Sequence, residues 1–131
     1  MTKVRVMLIA VLAAFLLGAC SSDGKSGGLF KGSPAEQKLS AGVASYEEGD
    51  YKSSMASLQS ALDLGLSSTR DKVRAHKYLA FIHCVSGREK QCHDEFRKAF
   101  EVDATFDLKP AEAGHPVWGP VFRGEKAKYT K

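Results

Sequence analysis

The chain has 131 residues, 44% of them hydrophobic, with 19 lysines and arginines against 15 aspartates and glutamates. That length holds one small domain and little more. The charges are mixed rather than clustered, so a net +4 is no argument for nucleic acid as a partner.

Lys3 and Arg5 precede an unbroken apolar run from Val6 to Leu17. Twelve residues are too few to span a bilayer as a permanent helix and suit the apolar core of a secretory signal. Leu17-Gly18-Ala19-Cys20 then leads through small residues directly into a cysteine. This resembles the lipobox of bacterial lipoproteins. The resemblance implies a signal peptide over 1–19 and a mature Cys20 lipidated on its thiol and acylated on its freed amine, palmitate included. Acyl chains contribute roughly 0.8 kcal/mol per buried CH₂, so several together anchor a protein stably. The other reading is a plain signal peptide with a chance cysteine. Losing Lys3 and Arg5 takes the net charge from +4 to +2.

Residues 20–34 read as the lipidated cysteine and a flexible tether, rich in serine and glycine from Ser21 to Gly28. The 14 residues from Ser21 to Pro34 would reach roughly 46 Å when stretched and average about 20 Å as a coil. By resemblance to enteric lipoproteins, Ser21 lacks the aspartate that retains proteins at the inner membrane. That implies an outer-membrane lipoprotein whose domain faces the periplasm.

Residues 35–105 contain a repeat. Gly49 and Gly87 are 38 residues apart, as are Ala61 and Ala99, and a constant offset across separate landmarks rarely arises by chance. Each unit has the pattern of a helical hairpin. A small residue (Gly42, Ala80) permits close helix approach, and a glycine (Gly49, Gly87) ends the first helix. Apolar residues at three and four spacing, such as Met55, Leu58, Ala61 and Leu62, form a stripe on the second. The pattern predicts helices over 35–48, 51–64, 69–86 and 89–102, in an all-α domain of two hairpins with a short C-terminal capping segment. The units resemble the tetratricopeptide repeat, usually about 34 residues long. The surplus falls in Gly65 to Thr69, Ser54 and Cys92 stand where that family has alanine, and Ala104 replaces its closing proline. An unrelated four-helix bundle would bury the same stripes.

With Cys20 assigned to lipid, Cys84 and Cys92 remain, and an exported compartment favours a disulfide over two buried thiols. They flank Gly87-Arg88 almost symmetrically, so an antiparallel hairpin brings them to similar heights, within reach of the roughly 7 Å Cα limit. His83 and His93 adjoin them and raise a metal or redox alternative. Neighbours on a helix project about 100° apart, which disfavours a convergent tetrahedral site. No metal and no cofactor is expected. His76 and His83 share a face and read as packing or groove residues. P-loop and His-Glu-x-x-His motifs are absent, so the chain reads as non-enzymatic.

Residues 106–131 form a proline- and aromatic-rich capping segment and a basic tail. Pro110, Pro116 and Pro120 forbid a long regular helix, yet Phe106, Leu108, Trp118 and Phe122 are large and apolar. Pro116 suits the start of a short helix that Gly119-Pro120 would kink, and Arg123 to Lys131 reads as frayed. The segment is expected to fold over the second hairpin, since a two-unit array needs a cap. Trp118 and Phe122 are also candidates for an exposed partner-binding anchor.

In the tetratricopeptide family the first helices of the units line a groove. Carried over, those positions are Leu39, Val43, Tyr46 and Glu47, then Arg74, Lys77, Phe81 and Val85, a surface suited to an extended or helical segment with an acidic group. The mature chain as a whole resembles small tetratricopeptide lipoproteins encoded with type VI secretion systems. That resemblance rests on the lipobox, Cys84-x-x-Gly87-Arg88, Glu95-Phe96-Arg97-Lys98-Ala99-Phe100 and Pro110-Ala111-Glu112-x-Gly114-His115-Pro116-x-Trp118-Gly119-Pro120-Val121-Phe122. It implies a non-catalytic scaffold, bound to the membrane through its lipid and to an envelope or secretion-system protein. Assembly of outer-membrane proteins or a pilus is the main alternative, and self-association is open.

Overall fold

The computed structural model describes residues 32–131. The signal peptide, Cys20 and the tether up to residue 31 lie outside the described residues. Six helices follow: α1 (Pro34–Glu47), α2 (Tyr51–Leu64), α3 (Thr69–Val85), α4 (Glu89–Val102), α5 (Pro110–Ala113) and α6 (Trp118–Lys126). No strand occurs among the described residues, so this is an all-α fold of two helical hairpins with a helical cap.

Local chemistry sets the helix boundaries. Ser33 and Glu36 cap α1 reciprocally: the Glu36 N–H donates to Ser33 Oγ, and the Ser33 N–H to the Glu36 carboxylate. The tether therefore ends earlier than its sequence reading, because Ser33 and Pro34 belong to the helix start. Asp50 and Ser68 accept from the third N–H groups of α2 and α3. Gly49 and Gly87 close α1 and α3 at φ +81° and +72°, where a Cβ would be strained.

Within the first hairpin, Gly42 lies against Leu58 so closely that an added Cβ would sit 2.7 Å from Leu58 Cγ. Ser54, fully buried there, donates its hydroxyl to the Gly42 carbonyl at 2.7 Å. At the equivalent place in the second hairpin Cys92 bonds Cys84, with Cα atoms 5.0 Å apart. One position thus ties the helices of each hairpin by a different chemistry.

The core has two clusters that share α3. Leu79 and Ile82 pack with Leu39, Val43 and Leu58, while Ala80, Phe81 and Cys84 pack with Phe96, Phe100 and the cap. The cap departs from expectation in two ways. Pro120 falls in the first turn of an unbroken α6, where no intrahelical N–H is required, so it starts the helix without kinking it. The basic tail is ordered through this helix, and Tyr129 stacks on Phe100 with centroids 5.1 Å apart. An aromatic partner beyond the run of charges makes that order possible.

Candidate functional site

The expected groove is largely filled from within. Leu39, Val43 and Phe81 are buried. The first two face α2 and α3, because the α1 stripe is needed for the first core. Trp118 covers Phe81: their rings stack at 4.1 Å, His115 stacks on the other face at 3.3 Å, and the indole N–H donates to the Glu112 carbonyl at 2.8 Å. Trp118 and Phe122 are accordingly core residues and not an exposed anchor, being 8% and 2% exposed. Lys77 is engaged too, its Nζ lying 2.8 Å from a Glu112 carboxylate oxygen. Tyr46 packs edge-on against Tyr78 at 4.9 Å. Burial, then the neighbouring Tyr51, Tyr78 and Glu112, push its phenol up to about 12, so it stays neutral. Of the expected groove residues, Glu47, Arg74 and Val85 remain exposed.

The histidines and acids form pairs across elements. His76 Nδ1 on α3 meets Glu95 on α4 at 2.7 Å, and Lys98 reaches the other Glu95 oxygen. Burial raises the Glu95 carboxyl, but the hydrogen bonds from His76 and Lys98 outweigh it and hold the group below the usual range. His93 and Lys128 meet one buried oxygen of Glu125 on α6 at 2.8 Å each. Burial opposes and these two partners secure a lowered carboxyl there as well. Burial and the nearby Arg88 lower His83, whose Nδ1 accepts from Arg88. No three metal-ligating side chains converge among the described residues.

An open cleft lies further along the outer face of α3. It measures about 850 Å³ and runs between Thr69, Arg70, Val73, Arg74, Lys77 and Tyr78 of α3 and the returning stretch Asp103 to Lys109. A second depression of about 620 Å³ adjoins it, sharing Arg70 and Arg74 and reaching Gly32, Glu36, Gln37 and Ser40. Val73 and Phe106 form a buried apolar floor. Arg70 was legible in principle, being one turn before Arg74 on the same face. Lys109 and Thr105 were not, because only the return of the chain under the cap brings them to α3. The chain matches no protein-family model, no curated protein and no solved structure.

Proposed function

We propose that this chain is a lipid-anchored, non-catalytic protein-interaction scaffold of the bacterial envelope, accessory to a type VI secretion system. On this reading its hairpins are diverged tetratricopeptide units, Cys20 carries the anchor, and the domain faces the periplasm from the outer membrane. The observation that carries the binding role is the α3 face. A frame of two hairpins holds an open cleft, continuous through Arg70 and Arg74 with the place where Gly32 enters the domain. The bond between Cys84 and Cys92 fits an oxidising compartment.

Crosslinking of the intact protein in its native envelope, with captured partners identified by mass spectrometry, tests the proposal. The expected result is capture of secretion-machine membrane components, dependent on Cys20. Capture of porin-assembly or pilus proteins in their place would keep the anchor and overturn the secretion assignment.

A further inference from the structure

We infer that the cleft between α3 and residues 103–109 is a docking site for an extended acidic segment of a partner protein. The inference rests on the scaffold reading and adds to it the place of contact and the partner's chemistry. It keeps Arg74 and Lys77 of the carried-over groove but shifts contact along α3, away from Phe81, which the cap covers.

Charge bookkeeping across the cleft carries the argument. Four cations line it: Arg70, Arg74, Lys77 and Lys109. Lys77 is paired with Glu112, and the Arg70 guanidinium, 89% exposed, lies 3.6 Å from Asp71. Arg74 and Lys109 make no ion pair among the described residues. Of the two acids of the cleft, one is ion-paired. Asp103 accepts from the N–H and hydroxyl of Thr105, and Asp107 pairs with Lys126. The adjoining Glu36 is held by the α1 cap. Arg74 and Lys109 then stand against Asp103 alone, whose charge the neutral Thr105 does not cancel, so the balance is positive above an apolar floor of Val73 and Phe106.

Shape and sequence narrow the occupant. Asp103 and Asp107 also line the cleft, so a segment whose carboxylates are spaced by apolar side chains suits it better than a uniformly anionic surface. The chain's own neighbouring segment is a poor fit, since residues 20–31 carry Lys25 and Lys31 against Asp23. The basic C-terminal tail is excluded by its sign. A partner segment alternating carboxylates with apolar side chains would satisfy Arg74 and Lys109 and cover the floor.

Purified full-length lipidated protein in non-ionic detergent should be titrated into a short fluorescein-labelled peptide alternating glutamate with leucine, and into its lysine counterpart. Only the acidic peptide is expected to raise the anisotropy. The variant Arg74→Glu/Lys109→Glu should weaken it about tenfold or more, and the neutral Arg74→Gln/Lys109→Gln should weaken it less. Lys52→Glu/Lys90→Glu carries the same net charge change on exposed sites outside the cleft and should bind like the parent. Equal weakening in that control, or no binding of the acidic peptide, overturns the inference. So does Arg74-dependent self-association in sedimentation, which would put the exposed Glu47-Glu48 turn of a second copy in the cleft. Binding to anionic phospholipid vesicles without peptide binding overturns it as well. If native-envelope crosslinking still captures the same partners with Arg74→Glu/Lys109→Glu, the scaffold stands and the cleft alone is refuted.

Discussion

Gly42 and Ser54 show how little slack the first hairpin has. A methyl at Gly42 would intrude on Leu58 Cγ and lie 3.1 Å from the Leu58 backbone nitrogen. Gly42→Ala should therefore cost about 2 kcal/mol through overpacking. Ser54→Ala loses a hydrogen bond of about 1 kcal/mol and a single oxygen atom's volume, with no overpacking. Urea denaturation midpoints should rank them in that order. Glu95 supplies a pH dependence. Its folded carboxyl titrates below its unfolded value because His76 and Lys98 outweigh its burial. That stabilisation is complete above the unfolded pKa, about 4.3, and is lost as pH falls through the folded one. The thermal midpoint should drop on acidification below that range, and Glu95→Gln should flatten part of the drop. Glu125, Asp107, Asp103 and Asp50, also lowered, keep the rest. Gly42 was legible in the sequence because close approach has a residue signature. The partners of Glu95 were not, since His76 lies 19 positions away and no spacing rule links them.

Whole elements were the most legible feature, and for a physical reason. Helices α1 to α4 end within one residue of their sequence-based bounds, because Gly49, Gly65 and Gly87 adopt positive φ at the breaks in the apolar period. The cap was read less well. Its role as a cover followed from large apolar residues that a solvated tail does not need. Its register did not, because proline tolerates the first helical turn as readily as a break. Aromatic stacking decides the outcome: Trp118 seats on Phe81, and Phe122 meets Phe96, Phe100 and Phe106 at 5.5–5.6 Å. Trp118→Ala should then cost about 3–5 kcal/mol, seen as a large fall in the thermal midpoint with new binding of a hydrophobic dye. An unchanged midpoint would return Trp118 to the role of an exposed anchor. The Cys84–Cys92 bond closes a separation of 8 residues, for which chain entropy predicts about 2–3 kcal/mol. Cys84→Ala/Cys92→Ala should lose that much by chemical denaturation, and reductant should leave the variant unaffected.

At the scale of the molecule, the proposed anchor and the proposed cleft matter through their relation more than either does alone. The depression that begins at Gly32 shares Arg70 and Arg74 with the cleft, so the proposed docking face sits at the base of the tether. On the proposed reading, a lipid at Cys20 confines the cleft to a layer next to the membrane and raises its effective concentration toward membrane partners. That compensates for a short binding surface, as linking does for any weak pair. Doubling the tether with glycine and serine should lower the effective concentration about threefold, following the −3/2 power of length. Envelope crosslinking yield should fall by a similar factor while peptide affinity in detergent stays constant. Replacing Cys20 with serine should lower the yield much further, because confinement is lost altogether. If the yield ignores both changes, the partner reaches the domain from solution, and the anchor serves localisation without aiding capture.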